Sequence, residues 1–163
     1  MAWLRKLALF LLLVVIAVVI HARLHFRGKP QEVLPTSECD ASLWDHTYEK
    51  QRLHVIAPCV AVEGKVVNVR QAEDGDLHIS LNPDRKSVLN LVNVVHAHRT
   101  LVAESVCEHA PEDDSARNAC GNFHPQITAP RIGDHVRVVG AYVTDTDNGW
   151  NEIHPVSRIE LLP

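Results

Sequence analysis

Residues 58–81 read PCVAVEGKVVNVRQAEDGDLHISL, and this pattern predicts two strands joined by a tight turn. The first strand is rich in valine, a β-branched residue that favours extended backbone. Its alternation of inward and outward side chains changes parity between Val66 and Val67, close to Gly64, as a β-bulge or bend requires. After the turn at residues 73–75, apolar positions alternate with polar ones. These positions are Leu77, Ile79 and Leu81 against Asp76, His78 and Ser80. The second strand is therefore predicted to be half-buried, with a polar outer face.

Three later segments carry strand patterns as well. They are residues 100–107, 136–144 and 153–161. Between the first two of them, residues 111–120 have acids early and Arg117 late, the charge order that suits a short connecting helix. Five strands, a bent first strand and a helix between the third and fourth strands predict a mainly β domain over residues 58–163. The arrangement is that of an OB-fold, a small five-stranded Greek-key barrel. A short β-sandwich is the alternative.

The N-terminal part of the chain has the layout of an export signal. Residues 7–20, LALFLLLVVIAVVI, are apolar throughout and follow Arg5 and Lys6. Residues 1–27 are therefore predicted to form a signal anchor, a transmembrane helix that holds the domain at a membrane, or a cleaved signal peptide that leads to secretion. The poor small-residue cleavage site at 20–22 favours the anchor.

Residues 28–57 are predicted to connect this signal to the β domain. Proline and polar residues at 28–37 are typical of a linker. A short helix is predicted at residues 42–52, because Trp44 and Tyr48 would lie one turn apart on one side of it. Such a helix would cover an open end of the domain.

Four cysteines in a chain with an export signal predict two disulfides and a location outside the cytoplasm, periplasmic or extracellular. Three pairings are possible. Bridges from Cys107 to Cys120 and from Cys39 to Cys59 are preferred because each is local. The cysteines lack the close CxxC spacing of a structural zinc site, which makes that interpretation weaker.

The charge of the domain argues against one class of partner. All 20 acidic residues follow position 31, and the first 29 residues hold five of the 16 basic ones. The rest of the chain thus has 11 basic side chains against 20 acidic ones and a net charge of −9. A domain this acidic repels phosphate backbones, so nucleic acid is a disfavoured partner.

Four segments resemble those of small bacterial exported or membrane-anchored proteins with OB-fold-like domains. They are residues 62–67 (VEGKVV), 74–78 (DGDLH), 133–140 (GDHVRVVG) and 149–155 (GWNEIHP). The resemblance covers about residues 58–161 and ends on a Gly-Trp-x-Glu-Ile-His-Pro motif. It implies a fold and a compartment but no activity. The chain has Asn148 where such proteins often have histidine.

Residues 64–81 are also similar to the opening strands of thermonuclease-type OB domains, in which a Gly-x-Val strand is followed by Asp-Gly-Asp-Thr. In this chain Leu77 replaces the threonine, and His78 stands two places after Asp76. The chain has no convincing counterpart of that family's catalytic Arg and Glu, so hydrolysis of nucleic acid is not implied.

Two carboxylate–imidazole pairs form the candidate metal site. Asp76 and His78 share the outward face of the second strand, and Glu152 and His154 share one face of the last strand. If the two strands are close together, the four side chains offer nitrogen and oxygen ligands for Zn²⁺ or another divalent metal. The alternative is that they form hydrogen-bonded surface pairs that stabilise turns.

Two single residues are further candidates. Glu104 falls on the apolar parity between Val102 and Val106, where a carboxylate must be paired or have a raised pKa. It is a candidate general base, or a structural anchor paired with a residue such as Arg137. Trp150 is predicted to stack on a ligand, to cap the barrel, or simply to belong to the core.

Two loops are read as structural. Residues 145–149, DTDNG, begin like a calcium loop but lack the distant glutamate, so they are predicted to be a hairpin turn. Residues 84–99 have no regular pattern and are predicted to be poorly ordered. They contain His96 and His98, which are assigned to a solvated loop rather than to a metal site.

Three functions are compatible with these features. The first is an extracytoplasmic OB-fold-like binding module, with a protein, glycan or small molecule as its partner. The second is a metal-dependent hydrolase that uses the Asp76, His78, Glu152 and His154 face. The third, a nucleic-acid binder or nuclease, rests on fold analogy and is disfavoured by the acidic charge.

Overall fold

The computed structural model of the protein describes residues 34–125 and 127–163, together with Val14 and Ile16. Among these residues, no helix is both long enough and apolar enough to cross a membrane. The predicted signal segment at 1–27 lies outside the described residues except for Val14 and Ile16, and so does most of the predicted linker. Residues 33–163 form one compact unit, which holds the strands described below.

Six strands and two short α-helices make up this unit. The strands are β1 (Leu34–Pro35), β2 (Leu53–Gln71), β3 (Leu77–Pro83), β4 (Leu101–Ser105), β5 (His135–Asp145) and β6 (Asn151–Leu161). The helices are α1 (Leu91–Val95) and α2 (Asp114–Cys120). Three 3-10 helices lie at Ala41–Asp45, Lys50–Arg52 and Lys86–Val88. The mainly β class and the five long predicted strands are confirmed.

The five long strands pair in a ring. Their order is β2-β3-β4-β6-β5, and β5 also pairs with β2, which closes the ring. Every contact is antiparallel except that between β4 and β6, which is parallel. Short β1 adds to β2 at Val60 and Ala61.

The length of β2 allows it to serve two neighbours. Residues 53–65 pair with β5, and residues 64–71 pair with β3. At Gly64, where both partners meet, a Cβ would stand 2.8 Å from the carbonyl oxygen of Asn82 and 2.9 Å from Cα of Pro83, so a side chain has no room. The register with β3 shifts between Val66 and Asn68, which confirms the predicted change of parity.

The interior of the ring is apolar, and its largest member is the fully buried Tyr142. Valine, leucine and isoleucine side chains from all five long strands pack around it. The Tyr142 hydroxyl donates to the carbonyl of Val88 at 2.8 Å, so its polar end is satisfied. Along each strand, a residue whose side chain points into the ring is followed by one whose side chain points outward.

The chain before β2, residues 36–52, lies outside the ring and covers part of its outer face. We call it the covering segment. The helix predicted at 42–52 is replaced by two 3-10 helices, because His46 ends the first and Glu49 has a left-handed backbone with φ of 48°. Leu43 packs with Val106 and the Cys107–Cys120 bridge. Trp44 packs on the outer side of β5.

The segment predicted to be poorly ordered is structured. It contains a 3-10 helix and α1, and α1 begins with a capping box formed by Asn90 and Asn93. Asn93 is fully buried and donates to the carbonyls of Thr100 and Asn151. Polar side chains that satisfy backbone groups do not produce a hydrophobic period, so the pattern missed this order.

Both predicted disulfides are present, Cys39–Cys59 and Cys107–Cys120. The first ties the segment before Ala41 to β2, and the second ties the turn after β4 to the end of α2. Two disulfides fit an oxidising, extracytoplasmic environment.

Candidate metal centre

A cluster of titratable side chains forms where strands β3, β4 and β6 lie side by side. Its members are Asp76, His78, Glu104, Glu152 and His154. His78 on β3 is paired with Glu104 on β4, and β4 in turn runs parallel to β6, with Val102 opposite Glu152. Ala103 and Ile153 point into the apolar interior. Alternation therefore places Glu104, Glu152 and His154 together on the outside of the ring. Asp76, immediately before β3, completes the group.

This part of the outer face is covered and not solvated. Asp76 and Glu104 are 2% exposed, and Glu152 and His154 are 0% exposed. Asp76 lies on the outward face predicted for it, but it is buried there and not solvated. The first 3-10 helix lies against β6, and Arg52 reaches the cluster from the end of the covering segment.

Glu152 holds the His154 ring in place. Nδ1 of His154 lies 3.2 Å from Oε1 of Glu152, in hydrogen-bond geometry, and 2.9 Å from Oε2 of Glu104. The second oxygen of Glu152, Oε2, accepts from the indole Nε1 of Trp150 at 3.0 Å. Because both neighbours of Nδ1 are carboxylates, that nitrogen carries the proton. The other nitrogen, Nε2, faces Asp76.

Four side chains of the cluster have a buried atom without a hydrogen-bond partner. These atoms are Asp76 Oδ2, His78 Nε2, Glu104 Oε2 and His154 Nε2. The distance from His154 Nε2 to Asp76 Oδ2 is 3.7 Å, beyond hydrogen-bond range. One ligating atom from each of Asp76, Glu104 and His154 lies within 4.8 Å of the others. The second oxygen of Asp76, Oδ1, is satisfied by the backbone N–H of Cys107 at 2.9 Å.

His78 lies at the edge of the cluster, with its side chain 17% exposed. Its Nδ1 is 2.7 Å from Nη2 of Arg70. Arginine only donates, so Nδ1 accepts and the proton of the neutral ring resides on Nε2. This Nε2 lies 3.3 Å from Oε1 of Glu104. In this arrangement His78 presents an N–H to the cluster and no lone pair.

Arg52 balances part of the negative charge. Its Nη1 pairs with the fully buried Asp145, and its Nη2 lies 3.9 Å from Oε2 of Glu104. The predicted pairing of Glu104 with Arg137 is wrong. Arg137 binds Glu38 and Glu160, at 2.8 and 3.0 Å. The partners of Glu104 come instead from β3, β6 and the covering segment, which the chain brings together only through the ring.

Burial disfavours the charged form of the acids in the cluster. It raises the pKa of Asp76 to about 7, although the neighbouring His154 acts in the opposite direction. Burial and the Glu104 carboxylate both raise the pKa of Glu152. For Glu104 the effect of burial is outweighed by His154, and its pKa is lowered. Burial alone would lower the pKa of His154, but attraction to Glu104 and Glu152 outweighs it and raises that pKa.

The structure places the four predicted metal ligands in one neighbourhood but in different roles. Asp76 and His154 face each other through Oδ2 and Nε2. Glu152 bonds the far side of the His154 ring, and His78 offers a donor. Glu104, predicted as a candidate base or anchor, lies close enough to Asp76 and His154 for the three to hold a metal ion together. The signal for this was the carboxylate on the apolar parity of β4.

The remaining candidates have structural surroundings. The Trp150 indole is half-buried and is bonded to Glu152. Residues 145–149 form a turn in which Asp145 accepts from the backbone N–H of Asp147 and of Asn148. His96 and His98 are exposed in and after the end of α1.

The cluster is thus a buried imidazole with the carboxylates of Glu104 and Glu152 beside its Nδ1 and that of Asp76 facing its Nε2. Such a group can hold a divalent cation, or can share protons among its own members. No protein-family model matches the chain, and no curated protein shows significant similarity to it.

Proposed function

We propose that the protein is an extracytoplasmic, membrane-anchored binding module with an OB-fold-like domain, and that it binds a divalent transition metal such as zinc. Asp76, Glu104 and His154 are the ligands. One observation carries this proposal: the three side chains are at most 2% exposed, each has a buried atom without a hydrogen-bond partner, and one potential ligand atom from each lies within 4.8 Å of the others.

The energetic argument starts from those atoms. A buried polar atom without a partner costs about 1–3 kcal/mol, and more if its group is charged. A cation between Asp76 and His154 would satisfy Asp76 Oδ2 and His154 Nε2, and the Glu104 carboxylate lies close enough to complete the ligand set. The 3.7 Å gap from His154 Nε2 to Asp76 Oδ2 suits two ligands that each lie about 2.0–2.2 Å from a shared ion.

Charge balance supports the same conclusion. Arg52 is paired with Asp145, which leaves three carboxylates around one imidazole. A divalent cation beside a neutral His154 would supply two positive charges where burial disfavours negative ones. Without a cation, Asp76 and Glu152 must hold protons for the cluster to approach neutrality.

The chemistry of the donors indicates the class of metal. One imidazole and two carboxylates suit zinc and neighbouring transition metals, whereas calcium takes six to eight oxygens. Glu152 supplies the outer carboxylate that commonly fixes a metal-bound histidine through its second N–H. Trp150 in turn fixes Glu152.

The fold and the compartment fit this proposal. The ring order β2-β3-β4-β6-β5, with its parallel closing contact, supports the OB-fold expectation from the sequence. The apolar residues 7–20 and the two disulfides support a domain held outside the cytoplasm. We favour binding over hydrolysis because the ligands are at most 2% exposed, which leaves a substrate little access to a metal between them.

The test is metal content. The full-length, untagged chain is purified without chelator, equilibrated with micromolar zinc, desalted and analysed by mass spectrometry for metals. Asp76→Asn and His154→Gln keep the approximate size of the side chain but remove a ligand. We expect close to one zinc per wild-type chain and less than a tenth of that in either variant.

His96→Gln is the matched control, since His96 is exposed at the end of α1. This variant is expected to keep the wild-type zinc content. Wild-type protein without metal, or full occupancy in both ligand variants, would overturn the proposal.

A further inference from the structure

One residue joins the metal ligands to a disulfide. The backbone N–H of Cys107 donates to Oδ1 of Asp76 at 2.9 Å, and the side chain of Cys107 is bridged to Cys120. Both cysteines are buried, at 2% and 6% exposure. The position of one metal ligand therefore depends on a backbone group that a covalent bridge holds in place.

Asp76 needs such an external hold. Its backbone is bonded locally, to the N–H of Ala72 at 2.9 Å and to Oδ1 of Asp74 at 3.2 Å, but neither bond orients its carboxylate. The hydrogen bond from Cys107 satisfies Oδ1 and leaves Oδ2 directed at His154 Nε2. Turning the carboxylate by one rotamer would remove Oδ2 from the other ligands.

Cys107 itself adopts a conformation that a free turn avoids. Its φ of 59° lies in the left-handed region, which disfavours side chains other than glycine. The bridge ties this turn to Cys120 at the end of α2, and Leu43 and Phe123 pack around it. Opening the bridge would release the turn to relax, and the N–H would no longer be held toward Asp76.

We propose that formation of the Cys107–Cys120 disulfide assembles the metal site, so that the chain captures zinc after oxidation and not before. This inference rests on the proposed function. The two thiols lose two protons and two electrons and form one S–S bond. The electrons pass, through a mixed disulfide, to a disulfide such as oxidised glutathione, which leaves as two thiols.

The consequence is an order of events. In a reducing compartment the turn is open and Asp76 is not aligned, so the chain binds zinc weakly. In an oxidising compartment the bridge closes and the three ligands are preorganised. Metal loading is thereby confined to the compartment in which disulfides persist.

The chain offers a matched control for this idea. Cys39–Cys59 closes a loop of similar length, with a sequence separation of 20 against 13. It joins the covering segment to β2, and neither cysteine is bonded to a ligand of the proposed site. Removing either bridge lowers stability to a similar extent in the chain-entropy model, but only one removal reaches Asp76.

The experiment measures zinc affinity by competition with a chromogenic chelator, on full-length protein with folding checked by circular dichroism. Changes in an outer partner of a metal ligand typically weaken binding about 10–100-fold. For the double variant Cys107→Ser/Cys120→Ser we expect zinc binding to weaken by about 10–100-fold. We expect less than about a threefold change for Cys39→Ser/Cys59→Ser. Equal affinities of the two double variants would overturn the inference.

Should the Cys107→Ser/Cys120→Ser variant fail to fold, the zinc-loaded wild type is reduced with a phosphine. Zinc release that precedes the loss of near-ultraviolet circular dichroism supports the inference, and release only together with that loss overturns it. Failure of oxidised wild type to bind zinc at all would instead overturn the proposed function.

Discussion

Trp150 and Glu152 stand two residues apart at the start of β6, and the indole Nε1 of Trp150 donates to Glu152 Oε2 at 3.0 Å. The other oxygen of Glu152 accepts from His154. A half-buried aromatic ring is thus linked, through one carboxylate, to the imidazole at the centre of the cluster. This relationship gives the tryptophan a role that packing alone does not.

Replacing Trp150 with phenylalanine is expected to weaken zinc binding by about tenfold, because Glu152 loses a donor and holds the His154 ring less firmly. The measurement is chelator competition at fixed pH. Trp44→Phe is the control for loss of an indole, since Trp44 packs against Leu53 and Val143 and is not the donor to Glu152. Unchanged affinity in Trp150→Phe would show that Glu152 needs no such support.

Asn93→Ala is expected to lower the free energy of unfolding by about 3 kcal/mol. The fully buried amide donates to Thr100 and Asn151 and accepts from the backbone N–H of Asn151. Its removal leaves several buried backbone groups without partners, each at a cost of about 1–3 kcal/mol.

Urea unfolding of wild type and variant provides the measurement. Asn68→Ala, on the exposed side of β2, is the control and should change stability by less than about 0.5 kcal/mol. A loss at Asn93 as small as this would mean that the segment from 84 to 100 contributes little to stability.

The metal-free protein is expected to become less stable as pH rises from about 4 to about 7. Burial raises the pKa of Asp76 to about 7 in the folded chain, against an ordinary value of 3.8 for an aspartate side chain. The folded state then holds a proton that the unfolded state has released, so stability falls with pH in this window. One such proton contributes a slope of roughly 1.4 kcal/mol per pH unit.

Urea unfolding at pH 5, 6 and 7 in the presence of a chelator tests this dependence. Asp76→Asn cannot ionise at this position, so its slope between those pH values should be shallower than that of wild type. Parallel slopes for the two proteins would rule out Asp76 as the titrating group.

Much of the fold could be predicted from local sequence. The alternation in β3, the parity change near Gly64 and the two local disulfides each depend on neighbouring residues, and each is present. The segment before β2 could not be predicted in this way. Its helical spacing is broken at Glu49, whose left-handed backbone leads the chain into the second 3-10 helix and on to Arg52.

Local sequence also predicted part of the candidate site. Alternation placed His154 and Glu152 on one face. Glu104 was marked as unusual because a carboxylate there shares its parity with the apolar residues Val102 and Val106. What local sequence does not encode is that β4 and β6 are parallel neighbours, or that Arg52 and the Cys107 backbone reach the cluster from outside the ring. Long-range pairing and covering loops decide which surface positions become interior ones.

The parallel contact between β4 and β6 also determines when the protein can finish folding. While the chain is being synthesised, β2, β3 and β4 can pair as they emerge, but β4 keeps an open edge until β6 has been made. Unpaired edges invite association with other chains. We therefore expect the nascent protein to depend on chaperones, or on a sequestered environment, until its final strand inserts.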